Sequence, residues 1–274
     1  MAKRDRTMSA DKIDRWIKEG RGQGYGVHYH SWLTTQDVPS IGLTTRLMGV
    51  KIPRMYYLFS KVERSWFYLY EWSSRVVDIR EQFPLLPLGK TLAIAHQCGY
   101  YHPPKSKEPA PLTTDLLVTI ADGTNRYDVA VAVKKADALS SSRTVEKLEI
   151  ERQYWQGEKV AWCLVTDREI PKYVVQNIEF LRNYVRLERR VSLSEAARTD
   201  IITELQRRIT APTVSLQQLT MDCDINLGYR RGSSLTLVYH LIATRQWHID
   251  MHKLLDPAQP LELIDPKDAY EVTL

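Results

Sequence analysis

Thr114-Asp115-Leu116-Leu117-Val118 and, after a turn, Val131-Ala132-Val133-Lys134 set a carboxylate at the start of one apolar run and a lysine at the end of the next. Between them lies the turn sequence Ala121-Asp122-Gly123-Thr124-Asn125, flanked by the β-formers Val118-Thr119-Ile120 and Tyr127-Asp128-Val129. This pattern predicts a β-hairpin. Folded about the middle of the turn, the hairpin returns Asp115 and Lys134 to one level of a sheet. A carboxylate beside an ammonium at a sheet end suits metal-dependent phosphodiester hydrolysis. It equally suits a plain ion pair closing a strand end.

Upstream, Tyr56 to Trp72 predicts a helix with Val62, Trp66, Leu69 and Tyr70 on one stripe and Glu63 beside it. Ser60 is a candidate N-cap with Glu63 as its capping-box partner, a structural role that competes with a chemical one. Val76 to Arg80 predicts a strand, Glu81 to Pro87 an extended, proline-bounded segment, and His96 to Lys107 a loop. Downstream, Thr144 to Trp155 reads as a helix and Val160 to Thr166 as a buried strand. Ile170-Pro171 opens a helix through Val174, Ile178, Leu181 and Tyr184. Helix, strands, hairpin, helix and strand make a mixed α/β core.

The flanks read differently. Asp11 to Glu19 is a short amphipathic helix stopped by Gly20, and Gly20 to Gly26 alternates glycines. That run neither follows a strand nor opens a helix, which disfavours a nucleotide loop. It reads as a linker or as a flexible basic loop that brings Arg21 toward DNA. Beyond Val185 the chain turns helical: Ser194 to Ile209, a helix from Ser215, and Arg231 to Thr244, then Trp247 to Asp250 and Leu261 to Leu263 as a β-ribbon. Three helices and a ribbon suggest a winged helix-turn-helix, with Arg230, Arg231, Ser233 and Ser234 at the exposed start of the recognition helix. The expected partition is an N-terminal extension over 1–50, a catalytic domain over 51–185 and a winged-helix-like domain over 186–274.

With 274 residues, 43% hydrophobic and 26% charged, the composition is that of an ordinary globular protein. No apolar run is long enough to span a bilayer, so no membrane role is expected. Three distant cysteines form neither a metal motif nor a disulfide framework, which fits a reducing cytosol. The net charge of +5 leans toward nucleic acid. The seven histidines are scattered and supply no ligand set.

Four further blocks carry a resemblance. They are Lys18-Glu19-Gly20-Arg21-Gly22-Gln23-Gly24, Val77 to Leu86 (VDIREQFPLL), Thr144 to Glu149 with Tyr154-Trp155, and Trp162 to Ile170. Together with Thr114-Asp115 and in this order, they resemble TnsA, the endonuclease subunit of heteromeric cut-and-paste transposases. The resemblance implies a restriction-endonuclease-like (PD-(D/E)xK) core and a small winged-helix-like C-terminal domain. It implies cleavage of the 5′, non-transferred strands at transposon ends, beside a DDE transposase, TnsB, and an ATPase regulator, TnsC. It also implies one or two Mg²⁺ ions, with Mn²⁺ as a substitute. Carried over, the metal-binding glutamate falls on Glu63, the aspartate on Asp115 and the lysine on Lys134; Arg80 lies in a matching block as a candidate DNA contact. A metal-site glutamine falls on Ala132, whose methyl group ligates nothing. Three accounts of Ala132 compete. The Val133 backbone carbonyl and water fill the gap; a carboxylate of the next helix, Glu149 or Glu146, takes over; or the site is weakened or silent, leaving a DNA- and partner-binding subunit. A stand-alone restriction or repair nuclease is a further alternative.

Overall fold

The computed structural model describes residues 8–37, 44–103, 109–209 and 214–272; the basic stretch Met1–Arg6 and the Pro104–Lys107 part of the expected loop lie outside the described residues. The chain divides into two compact units, Met1–Ile170 and Pro171–Leu274.

The first unit runs α1 (Ala10–Lys18), β1 (Thr45–Met48), β2 (Met55–Leu58), α2 (Lys61–Trp72), β3 (Val76–Pro84), α3 (Leu88–Gln97), β4 (Thr113–Asp122), β5 (Asn125–Lys134), α4 (Ser142–Gly157) and β6 (Ala161–Thr166). The main sheet has the order β3-β4-β5-β6. Its first three strands are antiparallel, and β6 pairs parallel to β5, the arrangement that needs a crossover such as α4. The hairpin forms as the sequence predicts, with Asp122 opposite Asn125 across a two-residue turn and pairing down to Leu116 opposite Val131. Leu117 and Ala130 pack with Leu85 and with Tyr154 and Trp155 of α4. The strand period of two therefore turns Leu116, Val118, Val129 and Val131 to the opposite face, where α2 lies against β3, β4 and β5. Trp66 of α2 donates its indole N–H to the Thr166 carbonyl at 2.9 Å. The sheet is thus sandwiched between α2 and α4.

Several expectations for this unit are revised. Tyr56 to Leu58 is strand, not helix: burial alternates along β2, and Ser60 caps α2 only afterwards. The extended segment is continuous with β3 as far as Pro84. His96 belongs to α3 rather than to a loop. Strand β6 is half-buried because it is a sheet edge. The glycine-rich run is neither linker nor flexible loop. Gly22, at φ 71°, lies so close to Pro84 that an added Cβ would sit 2.3 Å from its ring. Gly22 N–H donates to His30 O at 2.6 Å, Gly26 N–H to Asp78 Oδ2 at 3.3 Å and Tyr29 OH to Glu81 O at 3.0 Å. The first bond closes the glycine-rich loop on itself, and the other two fasten the N-terminal segment to β3.

The second unit holds α5 (Lys172–Leu181), α6 (Glu195–Ile209), α7 (Leu216–Leu227) and α8 (Ser233–Ala243). The boundary falls at Ile170, ahead of the composition shift at Val185, because α5 is tied to the tail of this unit. Asn177 Nδ2 donates to Met251 O at 3.1 Å and Lys253 O at 2.8 Å, and its Oδ1 accepts from Leu255 N–H at 2.9 Å. Gly228, left-handed at φ 70°, ends α7. The buried Asp224 carboxylate organises the turn into α8 by accepting from Gly232 N–H at 2.6 Å and Ser234 N–H at 2.9 Å. Consequently Ser233 and Ser234 are buried while Arg230 and Arg231 are exposed. Among the described residues no strand follows α8. The expected ribbon is reduced to one backbone bond, Ile264 N–H to His248 O at 2.9 Å, in a tail where Pro257, Pro260 and Pro266 remove ladder donors.

Candidate active site

Asp115 stands where β4 stops pairing with β5. The ladder ends at Leu116 opposite Val131, and the Asp115 carboxylate takes over: Oδ2 accepts from Val133 N–H at 2.7 Å and from Lys134 Nζ at 2.6 Å. The same ammonium donates to Val133 O at 3.0 Å. Two further carboxylates face this pair from the layers on either side of the sheet. Glu63, in the first turn of α2, donates its N–H to the Ser60 cap at 3.0 Å, and its Oε2 accepts from Phe59 N–H at 3.0 Å. The capping role is therefore real, with the side chain reaching one residue beyond the standard box. Glu63 Oε2 also accepts from the Gln82 amide at a long 3.4 Å. Glu151 of α4 accepts from Thr114 Oγ1 at 2.8 Å, and Thr114 Oγ1 in turn accepts from the Trp155 indole at 2.6 Å.

Burial and then the Asp115 charge push Glu63 up to about 7. Burial and Asp115 push Glu151 to about 7 as well. Burial opposes the charge on Lys134, but Asp115, Glu151 and Glu63 outweigh it and hold the ammonium above the ordinary lysine value. Three carboxyl groups around one lysine leave the site short of positive charge.

The other α4 carboxylates are spent elsewhere. Glu149 forms a two-bond pair with Arg152, both contacts at 2.8 Å, and accepts from Gln153 at 2.7 Å. Those hydrogen bonds hold it down at about 2. Glu146 pairs with Arg143 at 2.7 Å. Glu151 was missed in the sequence, although it falls with Leu148 and Trp155 on the buried stripe of α4. A lone acid on such a stripe is the signal that marks it. Ala132 is fully buried, and the Val133 carbonyl is engaged by Lys134.

Oxygen-only donors of this kind suit a hard divalent cation. Asp115, Glu63 and Glu151 are the residues that would hold one. Among the described residues no three His, Cys, Asp or Glu side chains are grouped closely enough to ligate a cation together as they stand.

Residues 73–167 match the family described as TnsA-like endonuclease N terminal, and residues 169–251 match TnsA endonuclease C terminal. The chain is also 46% identical over 181 residues to the transposon Tn7 transposition protein TnsA of Escherichia coli, a match spanning 66% of each chain. It belongs to the TnsA family. The junction between the two matched spans falls beside the Ile170 boundary of the compact units. In this TnsA-family chain Asp115, Lys134 and Glu151 lie inside the first matched span, and Glu63 precedes it.

The expected DNA contacts divide. Arg21 is half-buried and engaged: it donates to Asp37 at 3.0 Å, Trp32 O at 3.3 Å and Glu19 at 3.3 Å, and lies 4.1 Å over the Trp16 ring. Arg80 is buried, donating to Asp128 at 2.7 Å and Thr119 at 3.0 Å. Both guanidinium groups are committed to the fold. Arg230 and Ser233 instead line a cavity of about 320 Å³ with Glu188, Arg189 and Arg190. Among the described residues no helix is long and apolar enough to cross a membrane.

Proposed function

We propose that this chain is a divalent-cation-dependent DNA endonuclease with a PD-(D/E)xK-type site, in which Asp115 and Lys134 are the D and K positions. The observation that carries the reading is the Asp115–Lys134 contact at the strand end, with the buried carboxyl groups of Glu63 and Glu151 within electrostatic reach of it. A bound cation would supply a Lewis acid and an activated water. The chain's own residues do the rest. Asp115 and Glu63 hold the cation, Glu151 adds the carboxylate that Ala132 does not provide, and Lys134 offsets charge building on the phosphate. Asp115 also orients Lys134, since one carboxylate oxygen fixes both the ammonium and the strand end that carries it.

The substrate we propose is the 5′ strand at transposon ends, cut alongside a DDE transposase and an ATPase regulator, as the Tn7 relative's description as a transposition protein suggests. The second unit, read as a winged-helix-like module without its ribbon, contacts the DNA backbone through Arg189, Arg190 and Arg230. Asp115→Ala tests the site: nicking of end DNA with Mg²⁺ and partner transposase falls at least about a thousandfold, while assembly on DNA persists. Full nicking by that variant sinks the assignment. Ala132 favours a second reading, a weakened or silent DNA- and partner-binding subunit, which undetectable nicking by the natural chain would support.

A further inference from the structure

Gln82 is the one site neighbour whose backbone is out of place. It lies in the middle of β3, yet its φ is 51°, in the left-handed region that side chains other than Gly, Asn and Asp rarely enter. The register pairs Glu81 with Leu116 and Phe83 with Thr114, which leaves Gln82 opposite Asp115. Ordinary strand geometry would alternate the faces through this point. The left-handed residue resets the alternation where β4 carries its aspartate, and it sends the Gln82 side chain toward α2. That side chain is 4% exposed. Its amide nitrogen donates to Glu63 Oε2 at 3.4 Å, and its Oε1 accepts from Thr113 Oγ1 at 3.1 Å. An amide N–H turned toward the Glu63 carboxylate leaves Oε1 to accept from the Thr113 hydroxyl, so one orientation satisfies both contacts. Main chain opposite Asp115 and side chain on Glu63, Gln82 joins two carboxylates that come from different layers. A left-handed residue inside a strand persists only where surrounding structure enforces it, and such residues cluster at functional sites.

We propose that Gln82 is a positioning residue that holds the Glu63 carboxylate for cation binding, with the left-handed backbone serving to aim its amide. This rests on the cation-site reading above. Hydrogen bonds of this kind to a ligating group tune cation affinity by about ten- to a hundredfold.

The full chain, freed of metal, is titrated with Mn²⁺ by calorimetry as wild type, Gln82→Gly, Gln82→Met and Asp115→Ala. Glycine accepts φ 51° without strain but carries no amide, and methionine keeps the shape and also carries none. The expected result is that both Gln82 variants bind Mn²⁺ about tenfold more weakly, with the metal-free Gln82→Gly chain melting no lower than wild type. Nicking falls in step at limiting Mn²⁺ and recovers when Mn²⁺ is raised, with an unchanged KM for DNA. A merely structural role would not be rescued by cation. Wild-type Mn²⁺ affinity in Gln82→Gly overturns the proposal, because the backbone alone then suffices; if Gln82→Met fails to fold, the glycine variant decides. Mn²⁺ binding that survives Asp115→Ala removes the cation-site reading itself, and this proposal with it. Loss in Asp115→Ala with wild-type binding in Gln82→Gly removes the Gln82 assignment alone.

Discussion

In the first unit the buried acids Glu63 and Glu151 lie within electrostatic reach of the Asp115–Lys134 pair. In the second, Arg189, Arg190 and Arg230 surround an open cavity, exposed and without an ion-pair partner among the described residues. Acid predominates in the first and arginine in the second, and the two differ in burial. Desolvation in the first moves two carboxyl groups to about 7 and makes each partner's position matter. The arginines of the second remain in water, where an exposed charge would offer phosphate only a small, screened and nearly additive attraction. Buried charge specifies chemistry, and exposed charge supplies affinity.

Exchanging single acids on α4 strains that contrast most. Glu151→Gln lowers nicking about a hundredfold, whereas Glu149→Gln, which disturbs only a surface pair with Arg152, changes it less than about twofold. Single-turnover cleavage of end DNA compares the two, and equal losses would mean that burial is a poor guide to role.

The second effect is on stability. Glu63 and Glu151 have an ordinary value of 4.5 and sit near 7 in the fold. Between those limits the folded chain holds protons that the unfolded chain has released. Stability is therefore fully present below about pH 4.5 and is lost as the pH rises to 7. Each group accounts for about 3 kcal/mol at most. Melting of the metal-free chain from pH 5 to 8 is expected to show the decline, and Glu151→Gln to flatten it. A melting temperature that rises across that window contradicts the assignment.

Replacing Arg189, Arg190 and Arg230 together by Ala weakens DNA binding about tenfold at moderate salt. It also reduces the salt slope of the affinity by about one for each phosphate that these arginines neutralise. Anisotropy titrations with end and unrelated DNA are expected to show equal losses; a loss confined to end DNA would mean base readout instead. The smallest change is at Ala132. With Glu151 in place, Ala132→Gln alters nicking by less than about threefold, and a large gain would restore the weakened-site reading.

The hairpin was legible because its signals are local: turn residues, β-formers and a period of two fix the Asp115–Lys134 pairing without help from the rest of the chain. Glu63 was legible only as two competing roles, and the structure gives it both a capping bond and a place beside Asp115. Glu151 left only one faint signal, an acid on the apolar stripe of α4, since its burial depends on which way α4 rolls against the sheet, where Tyr154 and Trp155 pack with Leu117. Arg21 was misread for a similar reason. Its partners, Asp37 and Trp16, are distributed along the N-terminal segment, and only packing shows that its charge is already satisfied. The expected ribbon failed where proline, rather than apolar pattern, governs the backbone.

The three carboxylates come from α2, β4 and α4, separated by long stretches of chain and meeting only once the parallel crossover to β6 is closed. The local hairpin forms fast, whereas pairings distant in sequence are slow. A nascent or partly unfolded chain would therefore hold Asp115 and Lys134 together before Glu63 and Glu151 join them, and on the proposed assignment could not yet cut. On that assignment, competence to nick would report complete folding.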